Sequence, residues 1–506
     1  MKKLIGVLTL FLVTFAIYLL GIHYALQGRD FLFSLEGPTY VGLSVVSILT
    51  WLAVFMYSDS KNKLPWLFII ALFPVVGVIL YLIFGNNFRE SFRYKRRVKQ
   101  LGENYLIPMT DHLDEKVQTS LSDLSQHLIR LNCTTSRNDV SYRTNSRILT
   151  NGDQKFPVLM SQIKQAKKFI FVEYYIFKAD GIGLELIDLL IERALAGVEV
   201  YFLFDALGSF RRIKKKHVRR MREAGIAVAA FDPVWLPFFN SKMNHRNHRK
   251  MVVIDGRIAI TGGINVGDEY IHKSKKYGFW RDTSILVEGE AVRDLSGIFA
   301  GDWFFATGQK LVWDGFYPEL PAAGDGGIQI VDSGPDSTLA GIKEALFRMI
   351  MGARESVYLI TPYLIPDIDF LSALKNAALS GLDVRILIPG KADKDLVYLA
   401  TESYFEGLLA AGVRIYKYHK VFCHAKVVVV DESIASLGTT NMDIRSFYLN
   451  FEVNVMLYHA SAIQTLLNDF NVDFSRAHEI KYEEWRQRSS GRRLAQSLAQ
   501  LFSPIM

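Results

Sequence analysis

"HRNHRKMVVIDGRIAITGGIN", from His245 to Asn265, places His248 and Lys250 two residues apart at the mouth of an apolar, strand-like run. "CHAKVVVVDESIASLGTTN", from Cys423 to Asn441, does the same again. Both stretches fit H-x-K-x4-D-x6-G-x2-N. The first supplies His248, Lys250, Asp255, Gly262 and Asn265, and the second supplies His424, Lys426, Asp431, Gly438 and Asn441. Residue types that recur at identical offsets mark a duplication.

In a strand, residues two apart face the same side, so His248 and Lys250 project together, as do His424 and Lys426. Asp255 and Asp431 stand at an odd offset from their histidines, on the opposite face or past the strand end, and read as structural. The motif glycine allows a close approach of backbone, and Asn265 or Asn441 then returns with an amide donor. Two such halves facing each other offer a pair of imidazoles, a pair of ammonium groups and a pair of carboxamides. That set suits a tetrahedral oxyanion, with the cations and amides on non-bridging oxygens and the histidines in line for chemistry. Metal binding is the other reading of paired histidines. Lys250 and Lys426 would repel a cation, and neither an H-E-x-x-H helix nor a supporting carboxylate at metal spacing is present, so no metal and no cofactor is expected.

Outward from the motifs, the chain repeats at domain scale. "KKFIFVEYYIFKADGIGLELIDLLIERALAGVEVYFLFD" (Lys167 to Asp205) reads strand, loop, amphipathic helix, strand, and "RESVYLITPYLIPDIDFLSALKNAALSGLDVRILIP" (Arg354 to Pro389) reads the same way. The short unbroken apolar runs FIFV, VYFLF, VYLI and VRILI have the form of buried strands in an α/β sheet. The expected fold is therefore two similar αβ domains, 135–320 and 325–506, sharing one active site.

The chain has 506 residues, half of them hydrophobic, and a net charge of +8. The length implies more than one domain, and the charge implies an anionic partner: nucleic acid, anionic lipid or a phosphorylated substrate. Two cysteines, Cys133 and Cys423, give no disulfide framework, and Cys423 reads as an inert buried thiol. Three apolar runs, Leu4 to Ile22, Tyr40 to Tyr57 and Leu64 to Phe84, are long enough to be spans. The first could also be a signal peptide. Residues 1–88 thus predict a membrane anchor with two or three spans, and 89–134 a basic linker containing "RYKRRVK" (Arg93 to Lys99). Positive charge at several boundaries leaves the orientation open.

At the two motifs the sequence resembles the phospholipase D superfamily, whose mark is a duplicated HKD motif, and within it the bacterial cardiolipin synthases. Supporting phrases are "VEYYIF", "GGINVGDEY", "WRDT" (Trp280 to Thr283), "TPYLIPD" and "DIRSFYLNFEVN" (Asp443 to Asn454). The resemblance implies a catalytic set of His248, Lys250, Asp255, His424, Lys426 and Asp431, with Asn265 and Asn441 on the substrate phosphate. It makes one histidine the nucleophile on phosphorus and the other the general acid; precedent favours His248 and His424 in that order, with the reverse open. A downstream carboxylate braces each histidine, and Asp282 and Glu452 stand in those places. Where the family often has serine after the motif glycine, this sequence has Gly263 and Thr439.

The implied reaction joins two phosphatidylglycerols into cardiolipin and glycerol through a phosphatidyl-histidine. The expected partners are phosphatidylglycerol and anionic membrane lipids, in a multi-pass protein of the bacterial cell membrane. The basic run Arg211 to Arg220 and the stripe Leu494, Leu498 and Leu501 could touch lipid, or be solvated faces. A hydrolase would carry the same motifs. A nuclease is disfavoured by the apolar runs, so nucleic acid is not an expected partner, and an inactive scaffold is disfavoured by intact motifs. The number of copies in the assembly is left open.

Overall fold

A computed structural model describes residues 122–233, 245–311, 324–337, 339–419 and 421–503, with isolated helical residues between 45 and 81. The apolar runs 4–22, 40–57 and 64–84 lie wholly or largely outside the described residues, as does Arg93 to Lys99. Among the described residues, no helix is long and apolar enough to cross a membrane. The chain divides into two compact units, one of residues 1–91 with 235–244, the other of 92–234 with 245–506. In the first, Trp51, Val54, Leu67, Ile70, Val78 and Tyr81 are buried together.

The second unit holds both motif halves. Its strands are β1 (Val140–Ser141), β2 (Thr144–Thr150), β3 (Phe169–Tyr174), β4 (Glu199–Asp205), β5 (Ala227–Phe231), β6 (Lys250–Ile254) and β7 (Ile258–Gly262). There follow β8 (Trp280–Arg281), β9 (Thr283–Gly289), β10 (Gly327–Ser333), β11 (Ser356–Ile360), β12 (Leu364–Ile365) and β13 (Asp383–Pro389). The chain continues through β14 (Arg414–Tyr418), β15 (Phe422–Cys423), β16 (Val427–Val430), β17 (Ile434–Gly438), β18 (Met442–Asp443), β19 (Glu452–Tyr458) and β20 (Ala477–Ile480).

Two large sheets result, in the orders β2-β9-β7-β6-β3-β4-β5 and β1-β10-β19-β17-β16-β11-β13-β14-β20, beside the short pairs β12-β18 and β15-β8. Each has a parallel trio (β3-β4-β5, β11-β13-β14) whose first strand pairs antiparallel with the motif strand, β6 or β16. The duplication read in the sequence is therefore a duplication of topology.

Strand alternation sorts the side chains. Met251 and Val253 of β6, with Val427 and Val429 of β16, enter one core shared by both sheets. Val252 and Ile254 enter the outer core of the first half, and Val428 and Val430 that of the second. The two halves are thus packed sheet against sheet and not merely tethered.

The expected boundaries shift. β1, on the first-domain side of residue 135, is the edge strand of the second sheet, pairing with β10. The helix Asp123–Ser136, expected within the basic linker, buries Leu128 and Ile129 in the second half's core. Local pattern gives an element's type, whereas its sheet is set by long-range pairing.

Asp255 and Asp431 follow the motif strands directly, at positive φ of 52° and 49°. Asp255 accepts from the backbone N–H groups of Lys167, Lys168 and Phe169 at 2.7–2.9 Å. Asp431 accepts from Arg354, Glu355 and Ser356 at 2.8–3.0 Å. Each ties down the start of the neighbouring strand, at the far end of its own strand from the histidine. Both carboxylates are thus occupied by backbone donors, which favours the structural part that their odd offset suggested over a place in the implied catalytic set. Asp431→Asn should lower stability by about 1–3 kcal/mol, because bonds to a charged acceptor weaken, with turnover per folded molecule near normal. Chemical unfolding and an activity assay on the same sample check both halves of that statement.

Candidate active site

His248 and His424 stand just before the motif strands, where the chain leaves its own sheet to pair with the opposite half. The His248 N–H donates to the Phe451 carbonyl at 2.9 Å, and the Phe451 N–H to the Arg246 carbonyl at 2.9 Å. Reciprocally, β15 pairs with β8, Phe422 against Trp280 and Cys423 against Arg281, and the His424 N–H donates to the Arg281 carbonyl at 2.7 Å. The carboxylate that each swap brings belongs to the other half. His248 Nδ1 lies 2.9 and 3.0 Å from the Glu452 carboxylate oxygens, and His424 Nδ1 lies 2.9 Å from Asp282 Oδ2. The two expected braces are present, and they are crossed. A carboxylate on Nδ1 holds the proton there and leaves Nε2 with its lone pair, the tautomer needed for attack.

Both imidazoles keep 8 % of their surface exposed, whereas Glu452 and Asp282 are fully buried. Tyr175 meets the His248 ring edge-on at 4.9 Å between centroids, and Trp280 lies 5.4 Å from His424. Lys250 Nζ donates to the His248 carbonyl at 2.6 Å, and Lys426 Nζ to the His424 carbonyl. Asn265 Oδ1 accepts from the Ile176 N–H at 3.0 Å, while Asn441 Oδ1 is buried without a hydrogen-bond partner.

Gly263 explains its departure from the family's serine: a Cβ there would stand 2.1 Å from Asp282 Oδ1, so the brace occupies that space. The Thr439 hydroxyl bridges the Val453 backbone beside Glu452, donating to its carbonyl at 3.2 Å and accepting from its N–H at 2.9 Å.

Burial and crowded cations set the protonation states. Burial, then Lys250, Lys426 and His424, hold His248 well below the ordinary imidazole value. Burial and then Lys426 lower His424 too, although Asp282 opposes them. Burial pushes Lys250 down to about 7 and Lys426 to about 8. The braces differ. Burial raises Asp282, but His424, its hydrogen bond and Lys426 outweigh it and leave the carboxyl below its usual value. Burial lifts Glu452 to about 7 despite Lys250. Asp282 is thus the more firmly ionised of the two braces, and Glu452 still ionises around neutral pH.

Three arginines not singled out in the sequence, Arg246, Arg249 and Arg281, are buried, and the last two hold the braces. Arg249 shares strand parity with Met251, so it points into the seam between the sheets. Its Nε donates to the Glu452 carbonyl at 3.2 Å, Nη1 to Asp302 at 2.5 Å and Nη2 to Asp332 at 2.8 Å. Arg281 Nη1 donates to the Asp282 carbonyl at 2.6 Å, and its other nitrogens meet Asp473 at 2.8 Å and Asp469 at 3.2 Å. Each bracing carboxylate is thus held at its own backbone by an arginine anchored on two aspartates. For Arg249 the signal was a charged residue at the core-facing parity of a motif strand, beside Lys250.

Cys423 is fully buried, and burial, then Asp473, push its thiol to about 12, in keeping with an inert role. In the basic run, Arg220 pairs with Asp188; just beyond it, Arg222 Nη2 donates to the Val228 carbonyl at 3.0 Å. Among the described residues, no group of three or more His, Cys, Asp or Glu stands at metal-holding distance.

A family described as "Cardiolipin synthase, PLD-like domain" matches residues 159–303 and 346–474, one segment in each half. A second, "Phospholipase_D-nuclease N-terminal", matches residues 43–86. Cardiolipin synthase 2 of Bacillus cereus is 43 % identical over 467 residues, which are 92 % of this chain and 90 % of that one. Cardiolipin synthase of Geobacillus kaustophilus is 43 % identical over 479 residues, 93 % and 95 % of the two chains. The crystal structure of phosphatidylserine synthase from Haemophilus influenzae aligns with TM-score 0.53 at 15 % identity, covering 72 % of this chain and 95 % of that one, a likeness of fold.

Proposed function

This chain belongs to the cardiolipin synthase family with phospholipase D-like domains, and from that premise we propose that it transfers a phosphatidyl group from one phosphatidylglycerol to another. The observation that carries the reading is the pair of histidines, each braced by the opposite half, set among Lys250 and Lys426.

His248 Nε2 attacks phosphorus, and the bond from phosphorus to the glycerol oxygen breaks. His424 gives that oxygen its proton, so glycerol leaves and a phosphatidyl-histidine remains. His424, now a base, takes the proton from the glycerol hydroxyl of a second phosphatidylglycerol. That oxygen attacks phosphorus, the bond to nitrogen breaks, and cardiolipin forms. Lys250, Lys426, Asn265 and Asn441 meet the charge on the non-bridging oxygens. The unlike braces support these roles. The ionised Asp282 stabilises a proton on His424, while His248, strongly held neutral, keeps its lone pair. An incoming phosphodiester offsets the lysines that depress His424 in the empty site, which favours loading the acid as substrate binds.

The apolar runs within 1–88 support a multi-pass anchor in the membrane that holds both substrates and the product. One experiment tests reaction and anchor together. Carbonate-washed membranes carrying the full chain should convert added phosphatidylglycerol to equal amounts of cardiolipin and glycerol, without CTP and with a chelator present. Added glycerol should drive the exchange backward, since one phosphodiester replaces another. Phosphatidic acid as the main product would indicate a hydrolase instead, and loss of activity into the wash would mean that the anchor was misread.

A further inference from the structure

The helix Ser490–Gln500 is inside out for a helix on a water-facing surface. Its polar side is the packed one: Arg492 Nη2 reaches the buried Glu402 at 2.8 Å, and Gln496 Nε2 reaches the same carboxylate at 3.0 Å. Ala499 is buried against Ala400 and Ile365, and Ser503 meets the Tyr404 hydroxyl at 3.0 Å. At 3.6 residues per turn, positions 492, 496, 499 and 503 fall on one line, and 494, 498 and 501 on the line opposite. Those three are leucines with 62 %, 53 % and 74 % of their surface exposed, followed by Phe502 at 47 %. A helix on a soluble surface turns its apolar stripe inward and its charge outward. This one packs through Gln496, Ala499 and the end of Arg492 and turns its leucines outward, and an apolar stripe so displayed marks a contact surface.

We infer that this stripe seats the catalytic unit on the surface of an anionic bilayer. Charge complementarity selects the occupant: Arg486 and Arg493, both exposed, flank the approach and first turn of the helix, while Arg488 and Arg492 are paired with Glu406 and Glu402. Leucines entering the acyl boundary with arginines at headgroup level are the arrangement by which interfacial helices hold anionic lipid. The position fits the chemistry. The helix packs on Asp395–Ser403, whose Thr401 hydroxyl accepts from the Leu364 N–H of β12 at 3.3 Å. β12 pairs with β18, which directly follows Asn441 of the second motif. The surface is therefore joined to the site through packed elements. The choice of a lipid rests on the proposed phosphatidyl transfer.

The test uses the full chain in vesicles of phosphatidylglycerol and phosphatidylethanolamine. Leu498→Cys carries a bimane label, Gln464→Cys on the exposed side of another helix carries the same label as a control, and labelled wild type serves as the blank. Lipids bearing a nitroxide on the acyl chain should quench the label at 498 and spare the one at 464. No quenching at 498 would overturn the inference, and so would a disulfide between two copies of Leu498→Cys, which would assign the stripe to a second chain. A triple variant, Leu494→Ser, Leu498→Ser and Leu501→Ser, should lose roughly fivefold or more of its activity on vesicles while matching wild type on short-chain phosphatidylglycerol dispersed in detergent. An equal loss in both assays would mean a structural helix and overturn the proposal. Wild-type vesicles that bind through the stripe yet make no cardiolipin would count against the proposed reaction and not against the contact.

Discussion

Replacing His248 with alanine should lower cardiolipin formation by at least about a thousandfold, or roughly 4 kcal/mol of barrier, because the covalent route is lost. His424→Ala should lose a comparable factor through the missing acid and base. The two can be told apart with a phosphatidyl ester of p-nitrophenol, whose leaving group needs no proton. With it, His424→Ala should release one burst of nitrophenolate and stall at the phosphatidyl-histidine, whereas His248→Ala should release none. The opposite pattern would exchange the two roles. The lysines add a pH signature. Lys250 and Lys426 lose their charge as pH rises through about 7 and about 8 in the empty site. Because kcat/KM reports the free enzyme, it should fall on that alkaline side.

Arg249→Ala should be the most damaging change outside the two histidines and two lysines. It leaves Asp302 and Asp332 facing each other in the seam and frees the Glu452 carbonyl. Breaking a buried pair by removing one partner costs about 3–5 kcal/mol. Thermal unfolding should therefore show a large loss of stability, and the protein that remains folded should also turn over more slowly. Arg249→Ala combined with Asp302→Asn and Asp332→Asn should recover much of the stability without the turnover, since the charges are relieved but Glu452 is still unheld. Recovery of both would reduce Arg249 to a scaffold role.

Much of this site was legible because it rests on two short-range regularities. The two-residue period put His248 with Lys250 and His424 with Lys426, and the odd offset pointed Asp255 and Asp431 toward the backbone donors that they accept from. The same period also held the clue to Arg249: lying between histidine and lysine, it had to face the other way, into the core, where a guanidinium needs anchoring partners. The crossed bracing was not legible. His248 and Glu452 are 204 residues apart and His424 and Asp282 are 142 apart, and no local pattern says which carboxylate serves which histidine. β1 was misplaced for a related reason, since nothing in Val140–Ser141 names the far strand it joins.

The crossed braces also set the order in which the site can be assembled. A ribosome finishes His248 long before it reaches Glu452, and it has passed Asp282 before His424 exists. A nascent chain that already carries the first motif therefore has an imidazole with no carboxylate to fix its proton, and a carboxylate with no imidazole to hold. The beginning of the second sheet waits as well, since β1 and the helix Asp123–Ser136 have no sheet to join until the second half is made. A chain truncated before Glu452 should therefore make no cardiolipin, since His248 would lack its brace and the second sheet its β19 strand.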